Sequence, residues 1–600
     1  MLKKTLRLLA ILLALTLSTS PLYAWADAAQ AQQAAEKEVF TDIPAGVGDF
    51  ESAIYRMRDL GVIYGVGNGR FGYGLPVTRG QFAAFIVRMM GWEKVTPQTP
   101  SFTDNTNQAS NYFYSDIETA LANGAILKDT ELYRPNEPIT RSEIAVMLVR
   151  ALGYDSLARQ QLSSLASPYT DVAQNSAYLA MASDFGIIAG DGKGHFLPDA
   201  TATREQAAAM LARMYDKLHT PLSELHGFYA ISSYSQVDKL AYLNSVGFGW
   251  SRLEYDTLTG TVNLNQSRAG NNEYGIPTGY TEPYTLAAQA GAARQLMVFV
   301  KDEAVTDALS GSKPLVRYIL EDPAVRTQVA TQIVTRLLSG PESAPELTFD
   351  GVVIDFETLS GTSSKEALNA FLTELRSLLD VAGKTLTVAV HPIRRPGLAA
   401  YDGYDFRTIG NLADRVILMA HDYYAKGLTE TEMNQGYTLT PLTPIDDIYY
   451  ALKGITDSTT GVQDRSKILL QFSFDSVQWK LKDGKVTNAK GLYMPYSQIL
   501  TLLSGDSSIG FWSEMNQSPS LRFYDESDQT DNVVWYEDSR SIEAKLKLAG
   551  LFGVKGVSLW RLGLIPDYEE TSESSHNLDI WQTFLTHRVV QNMESTSAPE

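Results

Sequence analysis

Residues 349–357, Phe-Asp-Gly-Val-Val-Ile-Asp-Phe-Glu, form a short apolar run bounded by carboxylates. A run of this length with a β-branched centre predicts a buried β-strand. Successive side chains of a strand point to opposite faces, so Val353, Asp355 and Glu357 share one face. In a closed parallel barrel this face points inward, and Glu357 falls at the carboxyl end of the strand, where active sites of such barrels form.

Strands alternate with helices on both sides of this run. Eight βα units in a row favour the α/β class, as a (β/α)8 barrel over residues 225–590. The region exceeds the roughly 250 residues of a plain barrel, and we place an inserted subdomain at about 475–538, whose aromatic residues could form either a sugar-stacking wall or a small core. The predicted strands are Gly227–Ala230, Gly247–Leu253, Gln295–Val300, Gly351–Phe356, Thr385–Val390, Arg415–Ala420, Lys467–Phe472 and Gly556–Trp560.

Asp355 and Glu357 form the candidate catalytic pair. Two carboxylates on one buried strand face are costly unless they share a proton or serve a function. Their coupling is expected to raise one pKa, which gives an acid able to protonate a leaving oxygen near neutral pH. An Asp-x-Glu pair on its own is also compatible with a solvated strand end.

The same stretch resembles the Asp-x-x-Asp-x-Asp-x-Glu signature of glycoside hydrolase family 18, the chitinases and their relatives. The resemblance implies that Glu357 is the general acid/base and that Asp355 orients the substrate N-acetyl group, whose oxygen acts as nucleophile. Val353 departs from the signature, because it stands where the family has its second Asp. That departure keeps an alternative open, a catalytically inactive, lectin-like carbohydrate-binding protein, although such family members typically lack the final Glu.

Three later segments resemble substrate-binding parts of this family. Residues 418–424 are similar to its Met-x-Tyr-Asp segment, with a His in place of the Tyr that binds the acetamido oxygen. The last predicted strand ends in a Trp that resembles the floor of a sugar subsite, although a barrel-core Trp is the alternative. Residues 535–541 look like a segment of spore-cortex and wall-associated members. The substrate-binding candidates are Trp560, Asp422, His421, Tyr423, Tyr536 and Asp538.

One pattern occurs three times in the first third of the chain, over residues 39–92, 101–154 and 168–216. Each copy opens with an aromatic residue, Thr and Asp, and later carries a Thr-Arg pair at the start of an apolar helix. The Thr is a natural N-cap, and a Gln or Glu near the third helical position completes what resembles a capping box.

This pattern is similar to the S-layer homology family, which implies a mostly α-helical, three-fold assembly that binds secondary cell-wall polysaccharide. An Arg at a helix N-terminus suits a sugar-borne carboxylate, although the same Arg could instead pair with a nearby Asp to hold the repeat together. The binding candidates are Arg79, Arg141 and Arg204, with Asp42, Asp104 and Asp171 shaping the same pockets.

The ends and the composition complete the predictions. Residues 1–26 are typical of a signal peptide, residues 217–224 of a linker, and residues 591–600 of a disordered tail. No later apolar run is long enough for a transmembrane anchor after signal cleavage. The chain has no cysteine, which excludes thiol catalysis, and a formal net charge of −19, which argues against nucleic acid and anionic membranes as partners. We find no metal-binding motif and expect no cofactor.

Together these features predict a secreted glycoside hydrolase attached to the cell wall or S-layer. Its expected reaction is cleavage of β-1,4 bonds at N-acetylglucosamine, in peptidoglycan or a chitin-like glycan, by retaining substrate-assisted catalysis.

Overall fold

A computed structural model of the chain describes residues 39–108, 111–161, 165–307, 311–398, 400–421, 423, 427–569 and 576–588. The predicted signal peptide and the predicted tail lie outside these residues. The described residues form two compact units. The first comprises residues up to 151 together with 197–212, and the second comprises 152–196 together with the residues from 213 on. Within the described ranges, no helix combines the length and the apolar character needed to span a membrane.

The repeat region is helical. Its helices, in chain order, are α1 (Asp49–Asp59), α2 (Arg79–Met90), α3 (Tyr114–Ala122), α4 (Arg141–Ala151), α5 (Asp155–Gln160), α6 (Ser176–Asp184) and α7 (Arg204–Leu218). At the start of α2 the predicted capping box is present: the Thr78 hydroxyl accepts from the Gln81 amide, and the Gln81 side chain accepts from the Thr78 amide.

Three backbone hydrogen bonds close a ring at the centre of the first unit. The Val77 amide donates to the Ala202 carbonyl at 2.9 Å, the Ala202 amide to Ile139 at 3.0 Å, and the Ile139 amide to Val77 at 2.9 Å. Each of these residues precedes the Thr-Arg pair of one repeat. The predicted three-fold, mostly α-helical assembly is therefore confirmed.

The second unit contains the strands and the remaining helices. Its strands are β1 (Glu224–Tyr229), β2 (Ser245–Phe248), β3 (Arg252–Asp256), β4 (Thr261–Asn265), β5 (Ala293–Val300), β6 (Ala304–Asp307), β7 (Gly311–Pro314), β8 (Gly351–Asp355), β9 (Thr385–Val390), β10 (Arg415–Leu418), β11 (Ile468–Ser473), β12 (Val477–Lys482), β13 (Lys485–Val486), β14 (Ser508–Ser513), β15 (Ser518–Asp525), β16 (Thr530–Trp535) and β17 (Gly556–Trp560). Its further helices are α8 (Thr281–Gln289), α9 (Leu315–Glu321), α10 (Pro323–Leu338), α11 (Gly361–Ala382), α12 (Phe406–Leu412), α13 (Glu430–Asn434), α14 (Ile445–Ile455), α15 (Tyr496–Leu503), α16 (Ser539–Leu551) and α17 (Ile580–Thr586).

Eight parallel strands close into a barrel. Their order is β2-β1-β17-β11-β10-β9-β8-β5, and β2 pairs with β5 to complete the circle. The predicted (β/α)8 fold is confirmed, and each predicted strand overlaps one barrel strand. The predicted strand 247–253 spans the end of β2 and the start of β3, because the chain turns at Gly249. A Cβ atom at position 249 would lie 2.4 Å from the Ala230 Cβ.

A second sheet lies between β11 and β17 in the chain, within the range predicted as an insertion. It is antiparallel, with the order β13-β12-β16-β15-β14. The apolar side chains of β12 and β16, among them Trp479 and Trp535, pack with Leu428 in one cluster. In this part of the sheet the aromatic residues therefore form a core.

Residues 152–196, which include most of the third repeat, pack against barrel helices within the second unit. The Phe185 ring lies edge-on to Tyr449 and Phe552, with centroids 6.2 and 5.5 Å away. The Asp184 carboxylate pairs with Lys453 and accepts a hydrogen bond from the Tyr449 hydroxyl. The range predicted as a linker, 217–224, begins inside α7 and ends at the first residue of β1.

Candidate active site

The β8 strand runs through the barrel wall and ends at the candidate catalytic pair. Every residue of β8 is buried. Gly351 begins the strand where β9 passes so close that a Cβ would lie 2.0 Å from the Thr385 hydroxyl. Val353, the next residue on the inner face, packs in an apolar cluster with side chains from six other barrel strands. The side chain directly below Asp355 on β8 is therefore apolar.

Asp355 lies above this apolar layer at the last position of β8. It is 5% exposed, and its Oδ1 has no hydrogen-bond partner among the described residues. Burial raises the pKa of Asp355 well above its ordinary value, the negative Glu357 raises this pKa further, and His421 opposes the shift. A carboxylic acid in such surroundings retains its proton to higher pH than a free one.

Glu357 follows two residues later and is half-buried at the carboxyl edge of the barrel. The next residue, Thr358, has a φ of +60°, which is rare for a β-branched residue. This turn takes the chain away from the barrel axis directly after Glu357. The predicted pair is thus brought together on one face, with one deeply buried member and one member at the opening.

Two tyrosines that were not predicted from the sequence lie beside the pair. Tyr274 stacks on Phe299, the β5 neighbour of Asp355, with ring centroids 5.0 Å apart. Burial, together with the negative Asp355 and Glu357, raises the pKa of Tyr274 to about 12. The Tyr404 hydroxyl donates to the Phe356 carbonyl at 2.8 Å. Both tyrosines come from loops without periodic pattern, and the sequence carried no signal for them.

Two histidines lie at the ends of the neighbouring strands β9 and β10. His391 directly follows β9, and its ring lies 4.6 Å from that of Tyr401. Burial and the nearby His421 lower the pKa of His391 to about 4, so it is neutral near pH 7. The Nε2 of His421 lies 2.7 Å from the Gln471 Oε1. The position of His391 at the carboxyl end of a predicted strand was a usable signal.

Trp560 ends β17 and is half-buried on the interior cluster. Its ring lies at 69° to that of Phe228, with centroids 5.1 Å apart. One part of the indole therefore closes the apolar interior, and the remainder faces the open end of the barrel.

Three of the predicted substrate contacts are buried and contact other residues of the fold. Asp538 is fully buried, and its Oδ1 accepts from the Ser541 amide at 2.9 Å as the N-cap of α16. Tyr423 is buried with its hydroxyl directed at the Asp447 carbonyl, 3.4 Å away. Tyr536 is buried edge-on against Tyr496. The predicted contact Asp422 lies outside the described residues.

The arginines of the repeats make bonds across repeat boundaries. Nε of Arg79 donates to the Tyr133 carbonyl of the second repeat at 2.8 Å, and the guanidinium pairs with Glu143. Nε of Arg204 donates to the Phe71 carbonyl of the first repeat at 2.8 Å. Arg141 begins α4, and its amide donates to the Ala200 carbonyl.

The aspartates of the repeats accept hydrogen bonds from the same aromatic loops. Asp42 accepts from the amide of Phe71 at 2.7 Å, Asp104 from Tyr133 at 2.8 Å and Asp171 from Phe196 at 2.9 Å. Burial raises the pKa of Asp42, but its backbone hydrogen bonds outweigh this and lower it overall. In two of the loops, an Asp and an Arg from different repeats thus hold one aromatic residue.

Within the described residues, no cluster of three or more acidic or His side chains is arranged to hold a metal ion. The side chains of the site that can take part in chemistry include carboxylates, histidines and aromatic hydroxyls.

Comparison with known proteins identifies both parts of the chain. Residues 315–564 match the model of the glycosyl hydrolases family 18, and residues 39–83, 101–145 and 168–208 match that of the S-layer homology domain. The cortical fragment-lytic enzyme of Bacillus subtilis is 27% identical over 257 residues, which are 42% of this chain and 54% of that protein. The middle cell wall protein of Brevibacillus brevis is 30% identical over 124 residues, 20% of this chain and 12% of that protein.

Among solved structures, the spore cortex-lytic enzyme SleL of Bacillus cereus is similar, with a TM-score of 0.45 and 18% identity over 65% of this chain and 77% of that one. The chain spans about half the length of the first of these curated relatives and a small part of the second.

Proposed function

Because the chain joins three S-layer homology repeats to a family 18 glycosyl hydrolase domain, we propose that it is a glycosidase held at the cell surface. The observation that carries the proposal is the Asp355–Glu357 pair at the carboxyl end of β8, with one carboxyl group buried on an apolar layer. The repeats would bind secondary cell-wall polysaccharide and keep the enzyme beside its glycan.

The proposed substrate is a β-1,4-linked glycan containing N-acetylglucosamine, with peptidoglycan preferred over chitin. Anchoring at the wall places the domain beside peptidoglycan. The similarity to a cortical fragment-lytic enzyme supports the same choice. A neutral glycan chain does not require a basic surface, which agrees with the net charge of −19.

The proposed reaction proceeds in two steps. Glu357 donates its proton to the glycosidic oxygen, the bond to the anomeric carbon breaks, and the substrate acetamido oxygen attacks that carbon. Asp355 orients the acetamido group and stabilises its developing positive charge. Glu357, now ionised, then accepts a proton from a water molecule that attacks the anomeric carbon and releases the sugar with retained configuration.

The test is release of new reducing ends from purified peptidoglycan and from chitin oligomers by the full chain. We expect Glu357→Gln to reduce turnover at least about 100-fold, because general acid–base catalysis contributes about 10²–10⁴. Glu366→Gln, the same change on an exposed face of α11, is the matched control and should retain activity. Reduction of the new ends with borohydride, followed by sugar analysis, identifies the bond that is cut.

The alternative of an inactive, lectin-like domain is favoured by one observation, the apolar Val353 in place of a carboxylate. Retained glycan binding without turnover of either substrate would establish that alternative. It would overturn the proposed hydrolase.

A further inference from the structure

A row of polar side chains crosses the barrel interior below His421. Gln471 on β11, Ser558 on β17 and His226 on β1 are direct neighbours in the sheet register. They are 4%, 0% and 0% exposed. Polar groups this deep in a core destabilise a protein unless hydrogen bonds compensate their burial.

Three hydrogen bonds connect His421 to this row and its members to one another. His421 Nε2 lies 2.7 Å from Gln471 Oε1, and Gln471 Nε2 donates to Ser558 Oγ at 3.3 Å. Ser558 Oγ lies 2.9 Å from His226 Nδ1. Because an amide oxygen only accepts, a hydrogen on His421 Nε2 makes the bond to Gln471 Oε1.

The far end of the row is uncharged. Complete burial lowers the pKa of His226 to about 3, so the ring is neutral at higher pH. The Ser558 hydroxyl can donate to Nδ1 of the neutral His226 ring or accept from it. The row thus ends in a buried, neutral ring.

The near end of the row faces the catalytic pair. His421 interacts electrostatically with Asp355 and with His391, and it opposes the effect of burial and of Glu357 on Asp355. Tyr274 and Tyr404 also interact electrostatically with the two carboxylates. Beneath Asp355, Val353 supplies neither a charge nor a hydrogen bond.

We propose that Gln471, Ser558 and His226 are positioning residues that hold the His421 imidazole with its Nε2 hydrogen on Gln471. Nδ1 is then the nitrogen at which His421 gains and loses a proton beside Asp355 and Glu357. The imidazolium form supplies the compensating charge for the buried Asp355 that the apolar Val353 position cannot provide. The influence of His421 on glycan cleavage rests on the proposed function.

The first test determines the tautomer of the His421 ring directly and needs no substrate. The chain has seven histidines, so ¹⁵N-histidine labelling of the full chain, with His421→Gln to assign the signals, resolves the tautomer by long-range ¹H–¹⁵N correlation. We expect the Nε2–H tautomer at His421 near neutral pH and its loss in Gln471→Leu, with the histidines outside the row unchanged. An Nδ1–H tautomer, or no change in Gln471→Leu, would overturn the proposal.

Ser558→Ala is the second variant if Gln471→Leu does not fold. It removes the partner of Gln471 Nε2 and should increase exchange between the His421 tautomers. Gln471→Glu keeps an acceptor for Nε2–H and is expected to retain the tautomer that Gln471→Leu loses.

The second test is the pH dependence of kcat/KM on the glycan that the full chain cleaves. Removal of a nearby cation raises carboxyl pKa values, so His421→Gln should move both limbs of the profile to higher pH. Gln471→Leu should shift them in the same direction and lower kcat/KM by up to about 100-fold, the lower end of acid–base contributions. Unshifted limbs would contradict the proposal, whereas an inactive parent chain with the expected tautomer would contradict only the proposed function.

Discussion

At the scale of single residues, Val353 contributes to the surroundings of the candidate catalytic pair, Asp355 and Glu357. It is fully buried among apolar side chains. Asp355 directly above therefore has no second carboxyl group below it to share a proton. The charged form of Asp355 is opposed by burial and by Glu357 and is favoured by His421.

Asp355 is expected to destabilise the fold at neutral pH. Its folded pKa is raised, so between the unfolded and folded pKa values the folded state binds more protons than the unfolded state. Its contribution to the free energy of unfolding is largest below the unfolded pKa and declines as pH rises through the folded pKa. We predict that Asp355→Asn raises the melting temperature at pH 7 and that this gain shrinks as pH falls towards 4.

Thermal unfolding of both proteins across this pH range measures the difference. Asp350→Asn is the contrasting control, because the Asp350 carboxylate accepts from the Arg294 amide at 2.8 Å and pairs with its guanidinium. Its replacement should lower the melting temperature. If the Asp355→Asn protein were less stable than the parent at pH 7, the expected link between the raised Asp355 pKa and stability would be wrong.

Only part of the site could be identified at this scale from sequence. Asp355 and Glu357 were found because they lie two positions apart on one strand. Tyr274 and Tyr404 come from separate segments and lie beside the pair only after the barrel closes, and Gln471 reaches His421 in the same way. Because no local pattern relates them, sequence periodicity could not identify them.

At the scale of elements, the α16 N-terminus shows how a predicted contact acquires a structural role. Asp538 caps this helix and also pairs with Arg540. We predict that Asp538→Ala lowers the free energy of unfolding by about 1–2 kcal/mol, the usual effect of losing an N-cap. Asp538→Asn should lower the free energy of unfolding by less, since Asn caps helices as well as Asp does.

Chemical denaturation of the three proteins tests this expectation. If Asp538→Ala kept full stability and lost glycan turnover instead, the residue would be a substrate contact after all.

Arg204 links two repeats and is itself 3% exposed. Its guanidinium donates to the Phe71 carbonyl at 2.8 Å and to the Tyr64 carbonyl at 2.6 Å. Hydrogen bonds to charged groups contribute about 1.5–3 kcal/mol each. We therefore predict that Arg204→Ala destabilises the first unit by at least about 2 kcal/mol, and that Arg204→Lys recovers only part of this loss.

Thermal unfolding and binding to isolated wall polysaccharide should be measured side by side. Equal stability with lost binding in Arg204→Ala would instead identify this arginine as a ligand contact.

The strands were the most predictable elements. Each barrel strand is a short apolar run, and a fully buried parallel strand needs little else. The β3–β4 and β6–β7 hairpins were missed, because their strands are short and partly polar and are defined by pairing with each other.

At the scale of the whole molecule, the third repeat does not form a separate domain. Phe185 is fully buried against Tyr449 and Phe552 within the second unit. We predict that Phe185→Ala destabilises this unit by about 3–5 kcal/mol, the usual effect of removing a buried Phe. Thermal unfolding followed by tryptophan fluorescence measures this change.

Tyr112→Ala is the matched control, since this aromatic side chain is 84% exposed and its removal should leave the transition within about 0.5 kcal/mol. Unchanged stability in Phe185→Ala would show that residues 152–196 contribute nothing to the barrel.

The sequence by itself determined the two kinds of domain, the eight barrel strands and the Asp355–Glu357 pair, because each depends on residues close together in the chain. Only the tertiary structure decided what surrounds that pair, which repeat each arginine holds and where the third repeat packs. These features arise from contacts between segments far apart in sequence. Such contacts follow from barrel closure and side-chain packing, which local patterns do not encode.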